Sequence, residues 1–287
     1  MAGIKSLLWS AIEPLMQVVG RAYVPGPALA DALAIAAKFS QDGIAVTIGY
    51  FPEDEDSAEF VAQQTQSVAE AVASLTPLGY VSVKVPAMDY RSDLLQPILD
   101  KAQGSGIRVH FDSHGVDMAD ATRDCVSQAC ATGCRVGLTI PGRWSRSIAD
   151  AEWASAQGVR VRVVKGEWID PNEPDKDRTE GFLSLVESLS RCAREVAIAS
   201  HDPVTVKKSI DLLRQSGVAC ELELLYGMPM RTMLAMARRE QIPVRVYIPF
   251  GTAWWPYSLG KAVRNPRILG WLIVDILQGV RQLFSRP

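Results

Sequence analysis

Lys84 stands in the segment Val81-Ser-Val-Lys-Val85, among β-branched residues. A cation is costly to bury there unless it meets a polar site or a partner charge. Three roles suit it: a charge partner for a substrate or cofactor, a buried ion pair with Asp112, and a Schiff-base amine. Asp112 belongs to Val109-His-Phe-Asp-Ser-His114, in which His110, Asp112 and His114 alternate. Period two puts His110 and Asp112 on one face of a strand. Asp112 suits a polar site and His110 a hydrogen-bonded place deeper in the core. Histidine beside carboxylate is also a metal-ligand pairing.

Three further segments carry chemistry. Arg160–Trp168 places Arg162 mid-strand, where it needs a buried partner, and follows it with Lys165, Gly166 and Glu167. Gly166 lets a ligand approach the backbone closely. Two cations beside such a glycine suit an anion, either a phosphate or a reduced flavin ring; exposed charges framing a turn have the same pattern. Ala199-Ser-His-Asp202 ends another strand with small polar residues and a histidine, which suits phosphate or ribityl contacts at a helix terminus. Tyr247–Lys261 gathers Tyr247, Trp254, Trp255 and Tyr257. Tyr257 and Lys261 are four apart, so on a helix they share a face fit for an amino-acid carboxylate.

These segments sit at the ends of strand-like stretches. Eight recur: Ala45–Tyr50, Val81–Val85, Arg108–Ser113, Arg135–Ile140, Arg160–Gly166, Val196–Ser200, Cys220–Tyr226 and Val244–Phe250. Helical patterns separate them, at Ser57–Leu75, Asp93–Gln103, Asp117–Ala131, Ser147–Gln157, Glu180–Arg194, Val204–Gln215 and Met230–Glu240. Strands alternating with helices predict a parallel sheet. Eight such units predict a closed (β/α)8 barrel of α/β class, with its active site at the C-terminal ends of the strands. Residues 1–40 are expected to form helices ahead of the barrel, and residues 41–287 the barrel with a final helix over Ile268–Phe284. The polar stretch Asp170–Thr179 suits either a lid or a solvated loop.

Composition narrows the function classes. A length of 287 residues suits one barrel, and 48% hydrophobic content suffices for its core. A net charge of −2 with no basic run argues against a nucleic-acid partner. Five cysteines without a C-x-x-C pair argue against zinc and disulfides, and fit a reducing cytoplasm. Neither a signal peptide nor a membrane span is expected. The apolar C-terminal helix suits packing on the barrel or peripheral contact with an inner membrane or a partner.

Seven segments, in order, resemble the proline dehydrogenase family, the FAD-dependent barrel that also forms one domain of bifunctional proline-utilisation proteins. Ile44–Phe51 resembles its first strand and VSVKV its lysine-bearing strand. FDS at Phe111–Ser113 resembles the strand with an active-site aspartate, and RVVKGEW the hallmark R-L-V-K-G-A-Y. ASHD resembles A-T-H-D, ELELLYGM resembles F-Q-x-L-x-G-M, and Val244–Pro266 resembles the final Y-x-P-x-G…Y-L-x-R-R segment. The resemblance implies FAD contacts at Thr139, Arg162, Lys165, Gly166, Glu167, Trp168, Ser200, His201 and Glu223. It implies a substrate pocket of Lys84, Asp112, Leu225, Tyr247, Tyr257 and Lys261, with Arg162 near flavin N5. The implied reaction takes a hydride from L-proline or a related cyclic amine to flavin N5, gives 1-pyrroline-5-carboxylate or its equivalent, and passes electrons to a quinone.

The chain departs from the family in a few places. Gly260-Lys261 replaces an arginine pair that clamps the substrate carboxylate, and a single lysine lacks the bidentate fork. Arg264 replaces a glutamate, Pro141 and Glu223 replace glutamines, and Glu167 replaces an alanine. These changes motivate a second reading, a family barrel without dehydrogenase activity. A third reading, a metal-dependent hydrolase, would use His110, Asp112, His114 and His201.

Overall fold

The computed structural model describes residues 25–77 and 79–253. The expectations for Gly260, Lys261, Trp254, Trp255, Tyr257, Arg264 and the C-terminal helix lie outside the described residues, as does the segment 1–24. Eight strands form a closed parallel barrel in chain order. They are β1 (Ala45–Tyr50), β2 (Tyr80–Val83), β3 (Arg108–Phe111), β4 (Arg135–Pro141), β5 (Arg160–Val164), β6 (Glu195–Ala199), β7 (Ala219–Leu225) and β8 (Val244–Phe250). β8 returns to β1 in register from Ala45 opposite Arg245 to Tyr50 opposite Phe250, which removes every sheet edge.

The helices among the described residues are α1 (Leu29–Gln41), α2 (Ala58–Val72), α3 (Ser92–Ser105), α4 (Ala119–Ala131), α5 (Ser147–Ala156), α6 (Arg178–Cys192), α7 (Pro203–Gln215) and α8 (Arg231–Glu240). α1 packs against β1 and β8, covering the seam where the barrel closes. The caps follow the sequence. The Ser57 hydroxyl accepts from Phe60 N–H at α2, the Asp177 carboxylate accepts from Thr179 and Glu180 at α6, and Asp202 accepts from Val204 at α7. The predicted helix from Asp117 instead begins with a single tight turn over Val116–Met118, and α4 proper starts at Ala119.

Strand alternation divides the core into two parts. Val46, Ile48, Val81, Val83, Val109, Phe111, Val161, Val163, Val196, Ile198, Leu222, Leu224, Val246 and Ile248 are buried apolar side chains at every second position of their strands. The positions between and beside them are mostly polar, and many carry charge: Lys84, Arg108, Asp112, Arg160, Arg162, Glu195, Glu221, Glu223 and Arg245. Their hydrogen bonds join strands that are not neighbours, from β3 to β5, β5 to β7 and β3 to β8, so these side chains fill the lumen. Barrels of this type ordinarily fill it with Val, Ile and Leu.

One close approach fixes the barrel wall beside the site. A Cβ on Gly181, in the first turn of α6, would lie 2.2 Å from the Gly142 carbonyl oxygen; one on Gly142 would lie 2.4 Å from the Phe182 nitrogen. Both obstacles are backbone, so neither side can yield cheaply. Gly181→Ala is expected to destabilise the protein by about 1–3 kcal/mol and to lower Tm by several degrees in thermal unfolding.

Candidate active site

The C-terminal end of the lumen is organised around Asp112, which follows β3. One carboxylate oxygen accepts from the Ser82 hydroxyl at 2.7 Å, from the Tyr247 hydroxyl at 3.0 Å and from Lys84 Nζ at 3.1 Å. The other accepts from Arg162 Nη1 at 3.1 Å. Lys84 Nζ also donates to the Tyr50 carbonyl at 2.9 Å and to the Tyr247 oxygen at 3.0 Å, so all three of its protons are used. Side chains on or just beyond β2, β3, β5 and β8 thus meet at one carboxylate, and Lys84 ties them to the end of β1. Ser82 reaches the carboxylate because it lies two residues before Lys84 on the same face.

Electrostatics fix the charge states. Burial works against ionised Asp112, but Lys84 and Arg162 outweigh it and hold the carboxyl well below the usual range. Burial likewise opposes the charge on Lys84, yet Tyr247 and Asp112 raise its pKa overall. Lys84 is therefore a fixed cation, and the ion pair with Asp112 expected from the sequence is present. A Schiff-base role, which needs the neutral amine, is not served by this setting. Burial and Asp112 together raise the Tyr247 phenol, which stays protonated and donates.

Arg162 links this knot to a second one deeper in the barrel. Its Nε donates to Glu223, whose other oxygen accepts from Arg160 Nη1 at 2.5 Å. Arg160 continues to Glu221 and, at 2.6 Å, to Glu195. Arg245 reaches Glu221 at 2.9 Å and lies 3.3 Å from the centre of the Tyr80 ring. Burial opposes the Glu223 charge, but the two arginines depress its pKa strongly. Glu223, a carboxylate where the resembled family has glutamine, is thus held between two guanidiniums. Arg162 Nη2 is buried and has no partner among the described residues.

The remaining predicted residues surround this core. Thr139, at the end of β4, shares its hydroxyl between His110 Nε2 at 2.9 Å and Arg162 Nη1 at 3.3 Å. His110 is the buried core histidine expected from its depth in the strand, held neutral by desolvation and Arg162. Lys165 reaches Thr179 at 3.1 Å and Asp202 at 3.3 Å. Gly166 adopts φ +87°, and a Cβ there would meet Pro141 and the stem of Arg143. Trp168 is half-exposed and stacks on His114, with ring centres 6.0 Å apart. The Ser200 hydroxyl accepts from Asp202 N–H at 3.1 Å. His201 Nε2 accepts from Leu225 N–H, so Nδ1 carries the proton and donates to the Pro229 carbonyl, both at 3.0 Å. His201 thereby ties the end of β6 to the chain leaving β7 and spends both ring nitrogens doing so. Among the described residues no three His, Cys, Asp or Glu side chains gather as a metal-binding group.

Sequence reasoning missed Arg160, Glu221 and Arg245, although RVRVV, CELELL and VRVY carry charge at alternate positions. It also missed Arg143 and Asp175, whose pairing joins two loops and leaves no periodic trace.

No protein-family model matches the chain. Curated relatives match it almost end to end. Proline dehydrogenase 1 of Bacillus subtilis subsp. natto is 24% identical over 274 residues, covering 90% of each chain. Proline dehydrogenase of Deinococcus radiodurans is 24% identical over 278 residues, covering 90% of this chain and 89% of its own. The chain is thus similar, at about a quarter identity along most of its length, to proteins named proline dehydrogenase. Solved structures agree in fold. Proline utilization A from Bdellovibrio bacteriovorus superposes with a TM-score of 0.74 at 17% identity over 88% of this chain. The Bradyrhizobium japonicum protein gives 0.68 at 15% over 87%. The chain spans about a third of the length of each of these two.

The three histidines of the chain lead to a pH prediction. Burial depresses His110, His114 and His201 alike, the last to about 4 from 6.5. Each binds a proton more readily unfolded than folded. The stability tied to each is therefore complete above about pH 6.5 and is lost as pH falls through its folded pKa. Unfolding free energy should decline below pH 6.5 with up to about 1.4 kcal/mol per pH unit for each histidine. His201→Gln should flatten that decline between pH 6.5 and 4 in urea titrations; an unchanged slope would rule out a buried neutral His201.

Proposed function

We propose that the chain oxidises L-proline, or a related cyclic amine that carries a carboxylate, using bound FAD as hydride acceptor and a quinone as the final electron acceptor. The observation that carries this reading is the knot of Lys84, Asp112, Arg162 and Tyr247 at the C-terminal mouth of a barrel whose chain matches proline dehydrogenases over 90% of its length. The resident residues fit a flavin on one test: Arg162 keeps a buried N–H unpartnered, a donor for an electron-rich ring edge. Thr139, Lys165, Gly166, Glu167, Trp168 and Ser200 would hold the cofactor alongside it, with His201 fixing the neighbouring loops. When bound, FAD supplies the two-electron acceptor.

The other steps belong to the protein. Lys84 and Arg162 present fixed positive charge to a substrate carboxylate, with Lys261 as a further anchor. Asp112 does not serve as the base, because both its oxygens are committed and its pKa is depressed. Its role is to hold Lys84, Arg162 and Tyr247 in register.

One observation favours the second reading, a barrel without redox activity: Lys84 spends all its protons inside the protein. No helix among the described residues is long and apolar enough to cross a membrane.

The deciding measurement is the visible spectrum of the purified protein before and after anaerobic L-proline. Flavin bands that bleach and return on adding a soluble quinone are expected. Absence of flavin after incubation with FAD would sink the oxidation reading in favour of the second. Lys84→Met is expected to lower kcat/KM by roughly a hundredfold through loss of a charged contact. Gly260→Arg should raise turnover of proline by restoring half of the family's carboxylate clamp.

A further inference from the structure

Two adjacent side chains beyond β4 grip the chain that leaves β5. Arg143 Nε and Nη2 donate to the two oxygens of Asp175 at 2.9 and 2.6 Å, and Nη1 donates to the Glu167 carbonyl at 2.6 Å. Trp144 Nε1 donates to the Trp168 carbonyl at 3.0 Å. Arg143 is 3% exposed, whereas the Asp175 side chain is 50% exposed. The guanidinium therefore lies beneath the loop, and the carboxylate closes over it from the solvent side.

This arrangement does more than decorate a surface. Gly166 passes so close to Arg143 that a Cβ would sit 3.0 Å from its Cδ. Trp168 leans back across β4 to stack on His114 beyond β3. The segment Lys165–Trp168 is thus bent over the end of β4 and pinned at two consecutive carbonyls, those of Glu167 and Trp168. Asp175 fixes the planar fork that pins the first of them. A lysine cannot reproduce this, because it lacks the fork that serves two carboxylate oxygens and a carbonyl together.

We propose that Arg143 and Asp175 are positioning residues: a clasp that holds Lys165–Trp168 in the shape that receives the cofactor. The inference rests on the reading of that segment as cofactor-binding. Neither residue touches the proposed reacting atoms. Their effect passes through the backbone of Gly166 and Glu167, and the half-exposed Asp175 is the point at which the clasp opens.

The test compares wild type with Asp175→Asn, Asp175→Glu and Arg143→Lys in two measurements. The first is amide hydrogen exchange across residues 166–177 without FAD. The second is the dissociation constant for FAD by fluorescence titration. Asp175→Asn should raise exchange in the segment and weaken FAD binding by about tenfold, with Tm within a few degrees of wild type. Asp175→Glu, which keeps the charge, should recover part of both, and Arg143→Lys should match Asp175→Asn if it folds. Unchanged exchange would overturn the clasp itself. Raised exchange with unchanged FAD affinity would overturn its positioning role. A wild type that binds no FAD would overturn the functional reading and the positioning role with it, and the exchange data separate that case from a clasp that does not hold.

Discussion

Arg162 ties opposite walls of the barrel together, and the rest of the interior is built around that tie. One end of its guanidinium takes Asp112 from β3, the other takes Glu223 from β7. Each carboxylate is then shared onward, Asp112 with Lys84 and Glu223 with Arg160. Removing charges from water is expensive, and the interior offsets that expense by pairing its charges, although Arg108 Nε, His110 Nδ1 and Arg162 Nη2 have no partner among the described residues. Such a core is intolerant of partial change. Losing one member leaves a buried charge uncompensated, which typically costs about 3–5 kcal/mol.

This network changes the meaning of one departure from the resembled family. Glu223 in place of glutamine looks, from sequence, like an acid placed beside a flavin. In the folded chain it is the anion that Arg160 and Arg162 share, so its charge is met from two sides before any ligand arrives. The unpartnered Nη2 of Arg162 shows where positive potential remains. The open hydrogen-bonding capacity at this end of Arg162 is accordingly that of a donor.

The fold was legible because its signal is local. Eight apolar stretches and the helical patterns between them are set by period and by caps such as Ser57, Asp177 and Asp202, and each can be read within a few residues. Lys84, Asp112, Arg162 and Tyr247 were legible as candidates, because charge or a phenol inside an apolar strand demands an explanation, and the structure brings the four into contact. The partners were less so. Arg160, Glu221 and Arg245 alternate with apolar residues, a pattern shared with strands that turn one face to water, so only barrel closure reveals them as interior. His201 suggested a ligand contact by type and place, whereas its two ring nitrogens are taken by backbone groups on neighbouring loops. Arg143 and Asp175 meet across 32 residues of sequence.

The same interior bears on how the chain reaches this state. Its decisive bonds span long loops: Arg162 to Glu223 closes 61 residues, Tyr247 to Asp112 closes 135, and Arg245 to the Val46 carbonyl closes 199. A nascent chain that has emitted only the first five strands holds Arg160 and Arg162 without Glu221, Glu223 or Arg245. Half a barrel would therefore expose apolar strand faces outside and unbalanced charge inside, and both weigh against its stability on its own. Loop-closure entropy must be met before any of these long-range pairs gives a return. The polar lumen thus couples the two ends of the chain, the last strand supplying contacts that the first cannot make alone.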